Sequence, residues 1–496
     1  MKRFALMFVM LSLGCQTPTD QTADSTTKPT TCCQAAILER LDPTMPHDLA
    51  AGAPLNQCSM DAYSWQAFIA LNWPALPNGS GVPDREALFG ARGEDGSSVE
   101  TVWETYREVY EVFQAQARRP CPDATTEAER RSCWNHEKTL NPDYCGDSAY
   151  KVLYRTTKIP ELLTDFQAIA PTTAQNGFMA RVEKRLNWDE FNYIVEHQLY
   201  NAEMQASFDQ PIDLPVGRSD GPVGAMEIKA GWKRIVECDH PQSAACAQAQ
   251  ARYHTRPVTI YYPNDGRCTE TPVVYGLVAF HITSKPQAGG DQHVWSTFEH
   301  VDNAPTRGDE IPSAASYSFF NPDCSAEDCP PNTVPLRQGQ SYSDADPSPY
   351  PPTQVVRLTP IPNPQCEVYS EDQNTINNTQ EMNRRMQELF RGTPWEHYRL
   401  INTQWTNDQG QQVPPDLRNV VLETYIIDPT QNPADPQSSQ LSEQRNASQC
   451  IGCHAKTVTK AGRAADLTFL FENEAQCPAG TKASEGKNTS QPCVPL

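Results

Sequence analysis

The pentapeptide at residues 450–454, Cys-Ile-Gly-Cys-His, is the part of this sequence whose residue types and spacing indicate chemistry most specifically. Two thiols separated by two residues form thioether bonds with the two vinyl groups of a porphyrin, and the adjacent imidazole binds its iron. We therefore predict one covalent haem c attached to Cys450 and Cys453, with His454 as the proximal iron ligand. The alternative is a Cys450–Cys453 disulfide beside a histidine without a role.

A second iron ligand from the protein would have to precede the motif, because no Met or His follows His454. Alternation along a strand places His300 on a largely apolar face, whereas His293 falls on the face with polar neighbours. We rank His300 first, His281 second and Met226 third as distal candidates. For each histidine, a hydrogen bond to backbone or to a carboxylate is the alternative. An open sixth position is another.

The cysteine count favours an oxidising compartment, because 17 cysteines exceed what an ordinary cytosolic protein carries. Setting aside Cys450, Cys453 and Cys15 leaves an even number that can pair completely. We expect the adjacent Cys32 and Cys33 to have separate partners. We also expect four local bridges: Cys121–Cys133, Cys238–Cys246, Cys324–Cys329 and Cys477–Cys493. A zinc site is the alternative use of these thiols, although no second C-x-x-C occurs.

The amino terminus has the pattern of an export signal. Residues 1–14 join a basic start to a short apolar stretch, and Leu-Ser-Leu-Gly-Cys at 11–15 resembles a bacterial lipobox. We predict a lipoprotein-type signal peptide over 1–14, lipidation of Cys15 and a flexible Thr-rich tether over 15–31. A plain secretory peptide is the alternative. Both interpretations place the protein in the periplasm or cell envelope, and the first attaches it to a membrane through an acyl chain.

The charge balance limits the class of partner. Lys and Arg number 40 against 61 Asp and Glu, which gives a formal net charge of −21. A surface of this sign repels the phosphate backbone, so we exclude nucleic acid and expect a basic redox partner protein. Sequence motifs of serine hydrolases, phosphate-binding loops, zinc proteases and dinucleotide-binding folds are absent.

Hydrophobic periodicity predicts an α+β fold with mixed helices and an antiparallel, β-rich body. Helices are expected over 61–73, 97–113, 190–208 and 371–391. Strands are expected over 257–263, 271–284, 292–302 and 353–361. In the 97–113 helix, Glu104, Arg107, Glu108 and Glu111 are expected to face solvent.

The domain organisation follows from these patterns. We predict an α+β body over 32–440 and a haem-attachment segment over 441–496 that packs on the body. Residues 303–352 are dense in Pro, Ser, Asp and Cys, so they are expected to form long loops held by disulfides. The haem site is therefore expected near the carboxyl terminus and built into the larger body.

Several segments resemble a group of large exported bacterial proteins of the cytochrome c family. They are SWQAFIALNWP (64–74), GAMEIKAGWKRI (224–235), GLVAFHIT (276–283), WSTFEHVDN (295–303), LETYI (422–426) and the C-x-x-C-H pentapeptide. Their common order over residues 60–475 carries the resemblance. It implies a single covalent haem and supplies neither a substrate nor a partner.

These observations favour an exported cytochrome with one haem that works in periplasmic electron transfer. The alternative is a haem enzyme or a gas or redox sensor with an open sixth iron position. Bacterial c-type peroxidases with two haems fit poorly, because one C-x-x-C-H occurs. Whether the protein is an enzyme stays open, with electron transfer favoured.

Overall fold

The computed structural model describes most of the chain from residue 40 onward. The ranges are 40–76, 81–114, 126, 129, 145, 148, 150–153, 155–156, 172–262, 266–290, 292–312, 315–333, 343, 345–362, 379–407, 410, 412–413, 417–425, 450–455, 457–473, 475–478, 481–483 and 493–495. The predicted signal peptide, Cys15, the tether and the Cys121–Cys133 pair lie outside these ranges. None of the described helices is long and apolar enough to cross a membrane.

The described chain contains both helices and strands. The helices are α1 (Gln57–Leu71), α2 (Val109–Val112), α3 (Trp188–Glu196), α4 (Ala202–Ser207), α5 (Ala244–Arg252), α6 (Thr379–Leu389), α7 (Cys450–His454) and α8 (Leu470–Asn473). The strands are β1 (Arg107–Glu108), β2 (Lys151–Leu153), β3 (Arg155–Thr156), β4 (Arg181–Leu186), β5 (Met226–Arg234), β6 (Thr255–Tyr262), β7 (Arg267–Cys268), β8 (Val273–Ser284), β9 (Val294–His300), β10 (Tyr398–Thr406), β11 (Gln412–Val413), β12 (Thr481–Ala483) and β13 (Cys493–Pro495).

Strand β8 is the centre of the main sheet. Its sequence is rich in β-branched and aromatic residues, which favour extended backbone. β5 pairs antiparallel along one edge, while β6 and β9 share the other edge, opposite residues 273–276 and 279–284 respectively. The sheet continues from β9 to β10 and β11, and from β5 to β4 and β1. The predicted α+β class and antiparallel sheet are confirmed, although β2 and β6 pair in parallel.

Helix α1 crosses the sheet and supplies much of the main core. Asn56 caps its start by accepting a hydrogen bond from the backbone N–H of Ser59. Thirteen of its fifteen residues are buried, so it is a core helix. Phe68 stacks on Phe298 of β9 with ring centroids 4.3 Å apart, and Trp65 meets the same ring edge-on. The predicted helix over 61–73 is confirmed.

The prediction of a surface helix over 97–113 is wrong. The chain forms a short 3₁₀ turn over Val102–Thr105, then β1, then the single turn α2. The four charged residues expected in solvent are all buried. Three of them form ion pairs inside the protein, and the Glu108 carboxylate accepts from the N–H of Val109 at 2.9 Å. Arg107 pairs with Glu111 at 3.1 Å, and Lys151 reaches Glu104 at 2.6 Å. Sequence periodicity does not reveal such partners, since Lys151 comes from a distant strand.

The other element predictions had mixed outcomes. The strands over 257–263, 271–284 and 292–302 are confirmed as β6, β8 and β9. The helix over 190–208 breaks into α3 and α4, with Gln198 between them in the left-handed region. Residues 353–361 form no strand, although Arg357 makes an isolated bridge to Thr306. In the described part of 371–391, α6 begins at Thr379.

Disulfides close several loops. Cys238–Cys246, Cys324–Cys329 and Cys477–Cys493 are placed at bonding distance, as predicted. Cys145–Cys268 is an additional pair, which joins segments 123 residues apart. Sequence spacing gave no indication of this long-range bridge. Cys32 and Cys33 themselves lie outside the described residues.

We expect Glu104→Gln to lower the free energy of unfolding by about 3 kcal/mol near pH 7, because it leaves buried cations without their carboxylate. Burial alone would raise the pKa of Glu104, but Arg256, Lys151 and His254 outweigh it and hold the pKa well below its usual range. The contribution is therefore present above the unfolded-state pKa and lost as the pH falls through the folded-state pKa.

Urea unfolding of wild type and variant between pH 7 and pH 3 measures this effect. The matched control is Glu381→Gln on α6, whose ion pairs with Arg384 and Arg385 are partly exposed. It should change stability by less than about 1 kcal/mol. Equal losses for the two variants would contradict the assignment of a buried charge cluster.

Candidate functional site

The C-x-x-C-H motif forms helix α7, which lies against one end of the main sheet. The N–H of Ile451 donates to Oε1 of Gln404, near the end of β10, at 3.0 Å. The Ile451 side chain is buried with Trp295 of β9 and Leu417. Cys450 is half-buried beside them, with its Sγ 3.8 Å from the carbonyl oxygen of Leu417. Cys453 is part of the same helical turn.

The imidazole of His454 is held between two aromatic rings and one carbonyl group. Its centroid lies 4.3 Å from that of Trp295 and 4.7 Å from that of Phe469. Nδ1 lies 2.7 Å from the carbonyl oxygen of Leu467, so Nδ1–H is the donor. A proton on Nδ1 leaves the lone pair on Nε2. This is the arrangement that metal-binding histidines adopt when a backbone carbonyl fixes their tautomer.

The carbonyl that holds His454 belongs to a strained turn. Asp466 and Leu467 both have left-handed backbone, with φ of 47° and 64°. Each such non-glycine residue costs about 1 kcal/mol or more, and it persists where surrounding contacts require it. The Asp466 carboxylate provides those contacts: it accepts from the N–H of Leu214 at 2.7 Å and from Nζ of Lys285 at 2.9 Å.

The electrostatics of Asp466 match this anchoring role. Burial alone would raise its pKa, but His293 and the ammonium of Lys285 outweigh burial and hold the pKa at about 2. Lys285 is itself 2 % exposed and follows the last residue of β8. It also contacts Asp213, whose side chain is largely exposed. The carboxylate of Asp466 therefore stays charged at neutral pH and ties the carboxyl-terminal segment to the sheet.

Apolar contacts complete the docking of this segment. Its buried residues join a core cluster that includes residues of α2 and α3; they are Ala465, Leu470, Phe471 and Ala475. Gln476 exchanges backbone hydrogen bonds with Tyr200 and Ala202. The described part of the segment is thus packed into the body.

A pair of buried carboxyls lies beside the segment. Burial raises the pKa of Glu190 well above its usual value, and the neighbouring Glu227 adds to the effect. Burial also raises the pKa of Glu227, which bonds to Thr468. Two such groups avoid mutual repulsion by sharing a proton. The pair therefore carries less negative charge than its residue types suggest.

The three predicted distal candidates have other surroundings. His300 is fully buried: Nε2–H donates to the carbonyl of Arg252 at 3.0 Å, and Nδ1 accepts from the N–H of Asp302 at 3.1 Å. Burial lowers the pKa of His300 well below its usual value, so the ring is neutral. Five residues of strand, about 17 Å, separate it from Trp295, the contact of His454.

His281 and Met226 belong to the sheet interior. Nδ1 of His281 contacts the hydroxyl of Thr297, and Nε2 lies 3.1 Å from the carboxylate of Glu423. Met226 is buried in the main core cluster at the start of β5, two strands away from β9. The geometry therefore groups Cys450 and His454, and it places these candidates among other partners.

His293, which was predicted on a polar face, lies two positions before Trp295, the residue whose ring contacts His454. It is 2 % exposed, and neither ring nitrogen has a hydrogen-bond partner among the described residues. It stacks on Trp295, with centroids 6.1 Å apart. The signal available in the sequence was its i, i+2 relation to Trp295, which puts both on one face of β9.

Within the described residues, no group of three or more His, Cys, Asp or Glu side chains is arranged to hold a bare metal ion. No protein-family model, curated protein or solved structure matches this chain.

We expect Asp466→Asn to lower the free energy of unfolding by about 2 kcal/mol at pH 7, because the native pKa lies below that of the unfolded chain. The loss relative to wild type should shrink as the pH falls from about 5 towards 2. Hydrogen exchange should also speed up selectively in residues 450–478, the segment that Asp466 anchors.

Asp213→Asn is the matched control, because it removes the other, exposed carboxylate on Lys285. It should cost less than about 1 kcal/mol and leave exchange in the segment unchanged. Faster exchange in both variants to the same extent would contradict the role given to Asp466.

Proposed function

We propose that this protein is an exported c-type cytochrome with a single covalent haem, and that it transfers electrons in the periplasm or cell envelope. The observation that carries the proposal is the C-x-x-C-H motif on one helical turn, with Nδ1 of His454 bonded to the carbonyl of Leu467. Cys450 and Cys453 would form the two thioether bonds, and Nε2 of His454 would bind the iron.

The residues around the motif suit such a group. His454 is held in the tautomer that presents Nε2, as a proximal ligand requires. The indole N–H of Trp295 is buried and has no acceptor among the described residues, so it is a donor suited to a carboxylate such as a haem propionate. Ile451, Leu417 and Phe469 supply apolar contacts beside the two ligating positions.

Haem c, when bound, supplies one-electron redox chemistry. The residues of this chain then have positioning roles. The Leu467 carbonyl fixes the His454 ring and raises its basicity through the hydrogen bond. The apolar shell of Trp295, Leu417 and Ile451 limits water at the site, which affects the potential. The Asp466–Lys285 pair holds the turn that carries this carbonyl.

The proposed partner is a basic redox protein. A formal net charge of −21 produces a field that attracts a basic surface over a distance set by ionic strength. Electron exchange with such a partner would slow as salt rises. The lipobox-like sequence ending at Cys15 supports an acyl anchor that keeps the protein at a membrane surface.

We expect the double variant Cys450→Ala/Cys453→Ala to lose covalent haem completely, and each single variant to retain a weakened attachment through one thioether. The measurement is haem staining of a denaturing gel after expression in a bacterium that matures c-type cytochromes. The physical reason is that non-covalent haem dissociates when the protein unfolds.

Cys324→Ala/Cys329→Ala is the matched control, because it removes two cysteines that pair with each other in a different part of the chain. It should stain like wild type. Full covalent haem in the Cys450→Ala/Cys453→Ala variant would contradict the proposal, and so would a wild-type protein that never stains.

A further inference from the structure

The environment of His293 is unusual for a buried histidine. The residue is 2 % exposed, and neither ring nitrogen has a hydrogen-bond partner in the described part of the chain. Its nearest charged oxygen is Oδ2 of Asp466, 3.7 Å from Nε2, which is longer than a hydrogen bond. Leaving a buried polar group unsatisfied costs about 1–3 kcal/mol, so such a group calls for a partner.

The position of His293 relates it to the motif. Its ring stacks on Trp295 at 6.1 Å, and the Trp295 ring lies 4.3 Å from that of His454. The two imidazoles are therefore separated by no more than the sum of these distances. His293 immediately precedes β9, while α7 packs on the neighbouring strand β10 at the same end of the sheet.

From these observations we infer that His293 would be the second protein ligand of the haem iron, in addition to His454. The inference rests on the proposed function, since it concerns the same haem. A carboxylate next to one ring nitrogen favours the tautomer protonated there and leaves the lone pair on the other nitrogen. Asp466 is in that position relative to Nε2 of His293. The same carboxylate thereby supports both ligands, because its own turn carries the carbonyl that holds His454.

The competing histidines fit this role less well. Both ring nitrogens of His300 are bonded to backbone groups, and Nε2 of His281 is bonded to Glu423. Binding iron would break those hydrogen bonds and leave their buried partners unsatisfied, which costs free energy of folding. His293 already carries a cost of this kind while it has no ligand. On binding iron, the imidazole of His293 would gain a bonding partner, whereas His300 and His281 would lose hydrogen bonds.

The test compares variants of the haem-loaded protein by ferric EPR and optical spectra. We expect wild type to be low-spin. His293→Ala and His293→Gln should both lose the low-spin signal, become high-spin and bind CO in the ferrous state. Adding imidazole should restore the low-spin spectrum of His293→Ala. The matched control, His281→Gln, should stay low-spin.

His293→Gln separates ligation from a structural role, because Gln keeps a polar N–H group at this buried position without offering an imidazole. A low-spin spectrum in that variant would overturn the inference. Near-infrared magnetic circular dichroism of wild type gives a second measurement that needs no variant. A bis-histidine signature supports the inference, whereas a His/Met signature or an open, high-spin iron overturns it. In these last cases haem staining still succeeds, so the proposed function survives the failure.

Discussion

The carboxyl-terminal site depends on one strained turn, in which Asp466 and Leu467 both have left-handed backbone. Neither residue is glycine, so the turn persists only because other contacts require it. The Asp466 carboxylate provides them through Leu214 and the buried Lys285. Once the turn is fixed, the Leu467 carbonyl points at Nδ1 of His454. The stability of the body and the orientation of the His454 imidazole are therefore linked through Asp466 and Leu467.

Three strands of the main sheet place residues beside this turn and the motif. Lys285 follows β8, Trp295 belongs to β9, and Gln404 lies near the end of β10. These strands are neighbours, so their ends form one surface on which α7 and the turn are seated. Residues distant in sequence are therefore needed to position a pentapeptide.

Much of the fold could be predicted from local patterns, and the failures have a common cause. β8 and β9 are rich in β-branched and aromatic residues, and α1 has apolar residues at helical spacing. The segment 97–113 shows equally good helical periodicity, yet long-range ion pairs such as Lys151–Glu104 determine its structure. At the site, the C-x-x-C-H motif could be recognised from the sequence. The environment of His293 could not be predicted, because Asp466, which lies beside it, is 173 positions away along the chain.

The most direct test of the central claim is peptide mass spectrometry of mature protein purified from its native host. We predict that the peptide containing Cys450 and Cys453 carries a haem adduct on both sulfurs, with neither thiol open to alkylation. A peptide of unmodified mass, or one with a Cys450–Cys453 disulfide in its place, would contradict the account. That single peptide decides whether the geometry around His454 serves a porphyrin.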